Sequence, residues 1–138
     1  MDYAIGFALA LLVAGFAALV GFDRERTFYP LVLVVVALYY VLFAAMSGSL
    51  HVVLVESVFM IAFAALAVVG FKTKLWIVAA GLASHGVFDG LHGSLITNPG
   101  VPVWWPPFCL AYDVTAAGTL IWLLKHRPSL ASEINVGR

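Results

Sequence analysis

The chain has 138 residues, 64% of them hydrophobic and 10% charged, with zero net charge and a mean hydropathy of +1.07. A soluble domain carries about 25% charged residues, so water is excluded as the solvent for most of this surface and lipid takes its place. The length allows one domain, the balanced charge excludes a global basic face for nucleic acid, and a single cysteine, Cys109, excludes a disulfide within the chain.

The chain opens on Met1-Asp2-Tyr3 and turns apolar, without the basic region and small-residue cleavage site of a secretory signal. The first stretch therefore reads as a retained helix. Crossing the hydrocarbon core takes about 20 apolar residues, and five stretches meet or approach that length: 3–22, 28–46, 50–71, 75–96 and 107–124. The predicted fold is all-α, a single membrane domain of five transmembrane helices. The links at 23–27, 47–49 and 72–74 are short and the 97–106 loop is the longest, so consecutive helices are expected as antiparallel neighbours.

The seven cations set the orientation. Arg24, Arg26, Lys72, Lys74, Lys125, Arg127 and Arg138 all fall in connectors or tails on one side. The positive-inside rule makes that side cytoplasmic, with the N-terminus outside and the C-terminus inside. Asp23 and Glu25 are expected to pair with Arg24 and Arg26 in solvent. Trp104 and Trp105, in the outer loop, read as an interfacial aromatic anchor, with a lid over a site as the alternative.

Ionisable residues inside spans are costly and mark functional sites by default. They are Glu56, His85, Asp89 and Asp113, with His92 nearer the outer end. In helix 4 the spacing His85-x-x-x-Asp89-x-x-His92 places the three side chains on one stripe. Gly86 and Gly90 lie on a neighbouring stripe where another helix approaches closely. Counting inward from the helix ends puts Glu56, Asp89 and Asp113 at one level, roughly 9–11 Å below the outer interface. Tyr39 and Tyr40 reach a similar level with a phenol.

Two imidazoles with two or three carboxylates form a ligand set for one divalent ion, zinc favoured over iron. The expected ligands are His85, Asp89, His92, Glu56 and Asp113, with Glu56 or Asp113 free to serve as general base. Metal-free acid–base or relay work is the alternative, and hydrogen-bonded glue between helices is the bland one. Cys109, four residues before Asp113, reads as a buried small hydrophobe. His51 reads as interfacial, His126 as part of a basic anchor, and Asn98-Pro99-Gly100 as ordinary turn chemistry.

The segments His85-Gly86-Val87-Phe88-Asp89, Gly100-Val101-Pro102-Val103-Trp104-Trp105-Pro106 and Phe108-Cys109 with Asp113 resemble a family of small bacterial membrane proteins without an assigned activity, as do Phe28-Tyr29-Pro30 and Tyr39-Tyr40. That resemblance implies a bacterial inner-membrane location. More distantly, the intramembrane His and Asp resemble those of membrane-embedded zinc hydrolases of the alkaline ceramidase type. The five spans resemble the emopamil-binding isomerase type. Neither analogy transfers a residue role.

Three functions follow as expectations. The first is a metal-dependent membrane-embedded hydrolase or acid–base isomerase acting on a lipid or isoprenoid in the outer leaflet. The second is transport of a proton or metal ion, which the apolar inner half of the spans disfavours. The third is a subunit of a larger membrane complex. A homo-oligomer or complex is expected under each, because five helices barely enclose a cavity.

Overall fold

The structure, a computed structural model, describes residues 1–132. It is a helical bundle: α1 (Asp2–Val20), α2 (Phe28–Met46), α3 (Leu50–Lys72), α4 (Leu75–Leu95), α5 (Trp105–His126) and the short α6 (Pro128–Ala131). These bounds lie within a few residues of the five apolar stretches read from the sequence. α1 stops at Gly21, whose φ of 94° is the left-handed conformation that closes a helix and whose N–H returns to the Ala17 carbonyl. The Ser49 hydroxyl accepts from the Val52 N–H to cap α3. Pro106 and Pro107 stand in the first turn of α5, where no amide donor is needed.

Four of these helices, α1, α2, α3 and α5, are long and apolar enough to cross a membrane, as an integral membrane protein requires. α4 has the length, with 21 residues, but its serines, histidines, aspartate and glycines lower its hydropathy. The burial pattern inverts that of a soluble helix. α3 buries Glu56, Ala67 and Gly70 and turns Leu50, Leu54, Val58 and Ile61 outward. Large aliphatic side chains cover the outside, while the buried interior holds Glu56, His85, Asp89, His92 and Asp113. Such an arrangement is stable where the surroundings are hydrocarbon and polar groups must find partners inside.

α4 is the centre of the bundle, packed by α5, α3 and α2. A Cβ at Gly86 would lie 3.3 Å from the Leu110 carbonyl oxygen, and one at Gly90 would lie 3.0 Å from Leu110 Cδ1. The small-residue stripe therefore serves the approach of α5. One expectation is corrected: α1 does not lie along α2 but packs on α5. Its buried residues are Gly6, Ala10 and Ala17, and Gly6 sits so close to the Phe108 carbonyl that a Cβ would overlap it. Small residues let the two backbones approach, and the turn at Phe22–Arg24 leaves a gap between α1 and α2.

The cationic connectors meet at one end, but not as solvent pairs. Arg26 reaches the carbonyls of Leu130 and Ser132 through Nη1 and those of Phe71 and Thr73 through Nη2. Asp23 is buried and pairs with Arg127, Nη1 to Oδ2 at 2.8 Å. The planar guanidinium fork suits this role, offering several donors in fixed directions to orphan helix-end carbonyls.

Candidate functional site

Every ionisable residue predicted inside the spans is buried, and the depth match brings them onto facing helices. They form two linked groups rather than one ligand shell. In the deeper group, His85 Nδ1 lies 2.5 Å from Asp113 Oδ2 and 3.4 Å from Asp89 Oδ2. The Tyr40 hydroxyl donates to Asp89 Oδ1 at 2.7 Å. Cys109 Sγ lies 3.8 Å from Asp113 Oδ2. One ligand atom from each of His85, Asp89, Cys109 and Asp113 falls within 4.8 Å of all the others. Two helices supply this set, α4 by the i, i+4 pair and α5 by a second i, i+4 pair, so the spacing on each helix aims both side chains at the other.

The outer group holds Glu56 and His92, which do not join those four. His92 Nε2 lies 2.7 Å from Glu56 Oε1. Asn98 Nδ2 donates to the same oxygen at 2.8 Å and to the Tyr40 carbonyl at 3.2 Å. Tyr40 links the two groups, because its ring stacks on His92 with centroids 4.0 Å apart while its hydroxyl holds Asp89. Beneath His85 toward the cationic end, the fully buried side chains include Leu33, Leu75, Val78, Leu82 and Leu120. Among the described residues the ionisable groups buried within the spans lie in one half of the bundle, while Asp23 is buried at the cationic end.

Three members escape a reading by residue type. Cys109 is a buried small side chain, as expected, and also belongs to the four-residue group. Asn98 leaves ordinary turn chemistry for the interior; its Oδ1 accepts from the Gly100 N–H, an Asx turn that pins the loop against α2. Gly100 is pressed on the Phe43 carbonyl, where a Cβ would overlap. A polar residue in a loop between spans, with a turn-forming glycine two places on, was the available signal. The tryptophans divide: Trp104 is half exposed, while Trp105 is buried against Tyr39 and Phe43, with ring centroids 4.6 and 5.1 Å away. His51 is exposed, and His126 stacks on Trp122 at the cationic end.

Several buried polar atoms have no hydrogen-bond partner among the described residues: His85 Nε2, Asp89 Oδ2, Asp113 Oδ1, Glu56 Oε2 and Trp105 Nε1 in the polar half, and Asp23 Oδ1, Arg26 Nε and the Tyr29 hydroxyl toward the cationic end. Unpaired buried acceptors are rare and each calls for an explanation. The balance of charge points the same way. Three buried carboxylates face two imidazoles in the polar half, and among the described residues no lysine or arginine is buried with them. Protonating both histidines still leaves one carboxylate uncompensated. Either a proton or a cation must make up the difference. No family model matches this chain, no curated protein matches it, and no solved structure matches it.

Proposed function

We propose that the protein is a five-span membrane protein, N-terminus outside, whose deeper polar group holds one divalent metal ion and acts on a lipid or isoprenoid. The observation that carries this reading is the group His85, Asp89, Cys109 and Asp113, four buried donors within 4.8 Å of one another. A thiol, an imidazole and two carboxylates suit zinc, or iron in second place, and a soft sulfur donor argues against calcium or magnesium. The ligand set thus replaces His92 and Glu56 with Cys109. His92 and Glu56 remain one turn outward, where Glu56 Oε2 is buried without a hydrogen-bond partner among the described residues. A divalent ion held by His85, Asp89, Cys109 and Asp113 would supply hydrolysis or hydration chemistry by activating water. Lipid is the substrate because Cys109 also lines an apolar cavity between α1 and α2 that hydrocarbon reaches. The family resemblance and the bacterial inner membrane it implies belong to the same proposal.

A second reading, metal-free acid–base or proton-relay work, is favoured by the His85–Asp113 contact, which suits a shared proton. The apolar residues beneath His85 argue against a conducting path.

Elemental analysis of the detergent-purified protein separates the two. One zinc per chain is expected, lost in His85→Ala and Asp113→Ala and retained in His92→Ala. A folded wild type without metal rejects the metal centre and leaves the acid–base site. Topology is tested in a Cys109→Ser background, where Val103→Cys should react with an impermeant maleimide from outside and Thr73→Cys should not. The reverse pattern inverts the orientation.

A further inference from the structure

His85, Asp89, Cys109 and Asp113 are each at most 1% exposed, so an ion can reach them only through some barrier. Toward the cationic end, Leu82, Val78 and Leu75 of α4 are buried on successive turns below His85, a depth of about 15 Å. Beside α2, the groove that Cys109 lines has mostly apolar walls, and a charge entering hydrocarbon is costly. At the other end α4 stops at Leu95, six residues beyond Asp89, which is about 9 Å. The cover there is the loop at 96–104, which turns Ile96 and Asn98 inward. It is the thinnest of the three barriers.

Hydrogen bonds hold that loop to the bundle at one residue. Its backbone N–H groups turn back on neighbouring carbonyls, Ile96 on His92 and Val101 on Asn98, and the Trp105 N–H returns to Pro102. Among the described residues Asn98 alone bonds the loop to α2 and α3, its Nδ2 donating to the Tyr40 carbonyl at 3.2 Å and to Glu56 Oε1 at 2.8 Å. Gly100 rests on the Phe43 carbonyl by contact. Glu56 Oε1 also meets His92 Nε2 at 2.7 Å, and Oε2 is buried without a partner. Releasing Asn98 therefore frees a carboxylate and an imidazole side by side, a pair that a divalent cation binds in passing. The polar half holds three carboxylates and two imidazoles, so an opening into it favours cations over anions.

We infer that the loop at 96–104 is the gate through which the deeper group exchanges a divalent cation with water at the end opposite the cationic connectors, with Asn98 as its latch on Glu56. The passage of an ion rests on the metal centre proposed above. The barrier and its latch need no metal.

Cys109 is the chain's one cysteine and belongs to the deeper group, so its modification by charged, water-soluble methanethiosulfonates reports opening. In chelator-treated protein in detergent, the trimethylammonium reagent should label the wild type slowly. Asn98→Ala should speed labelling by about 10–100-fold, the worth of a hydrogen bond to a carboxylate. Asn98→Asp should act the same way with the turn kept, since its carboxylate still accepts from the Gly100 N–H but stands against Glu56. The anionic sulfonate reagent should lag well behind the cationic one. Arg26→Lys, which loosens the other end, should leave labelling unchanged, and circular dichroism should show full helical content in each variant. In zinc-loaded protein, Asn98→Ala should speed transfer of zinc to a water-soluble chelator by the same factor. Fast labelling of the wild type overturns the inference, as does indifference to both Asn98 variants, an equal gain in Arg26→Lys, or equal rates for the two reagents. Latch-dependent labelling of a protein shown to bind no zinc upholds the gate as a water route while rejecting the metal centre. Bound zinc whose release ignores Asn98 rejects the gate and leaves the metal centre.

Discussion

Tyr40 is the strut between the two polar groups, and Tyr40→Phe removes its hydroxyl while keeping the ring that stacks on His92 at 4.0 Å. The hydroxyl donates to Asp89 Oδ1 at 2.7 Å, with both residues 1% exposed. Asp89 Oδ2 has no hydrogen bond, so the substitution leaves the carboxylate with only the 3.4 Å approach of His85 Nδ1. A hydrogen bond to a charged group is worth about 1.5–3 kcal/mol, whereas side-chain hydrogen bonds inside membrane proteins average about 0.6 and reach about 1.7 kcal/mol. Full burial and the shortage of other partners place this one near the upper membrane value, so a loss of about 1.5 kcal/mol is expected. The assay is reversible unfolding by detergent titration on Tyr40→Phe, Asp89→Asn and the double variant. A coupling of about 1 kcal/mol or more is expected for residues in direct contact. If Asp89 is a metal ligand, the same substitution should weaken zinc binding by about 10–100-fold, as loss of an orienting partner does. Additive single effects with unchanged zinc affinity would refute the reasoning, because the hydroxyl would then neither hold nor orient Asp89.

Gly6→Ala should lift α1 from α5 because its Cβ overlaps the Phe108 carbonyl, costing about 1–3 kcal/mol in detergent unfolding. Gly15→Ala has nothing within 4 Å and should be neutral or stabilise by up to about 1 kcal/mol. Asn98→Ala removes one of the two groups on Glu56 Oε1 and should lower stability by about 1–2 kcal/mol. Gly100→Ala should reproduce that loss through the displaced loop, and a thermal shift reads both. Arg26→Lys should keep the charge but lose the four-carbonyl grip, seen as faster hydrogen exchange over residues 127–132, whereas Arg24→Lys should leave it unchanged.

Hydropathy and helical periodicity made the elements, the clustering of the cationic connectors and the polar stripe of α4 legible in the amino-acid order. Each is a property of one helix or of one count along the chain. The common depth of Glu56, Asp89 and Asp113 follows from the same count, since rise per residue is nearly constant. Depth does not say which side chains touch. His85 and His92 stand on one stripe of α4, yet one turns to Asp113 of α5 and the other to Glu56 of α3, because the two neighbours flank that stripe on different sides. Cys109 looks like any small buried residue until α5 is set against α4, and Asn98 looks like turn chemistry until its loop folds inward. Nor does periodicity choose the neighbour of α1. A helix apolar nearly all round carries little directional signal, and the choice rests on the close fit of Gly6 to a backbone carbonyl. That contact draws α1 onto α5 and opens the groove beside α2. Elements and depth are thus local properties of the chain, while ligand pairing and the cavity depend on which helices meet.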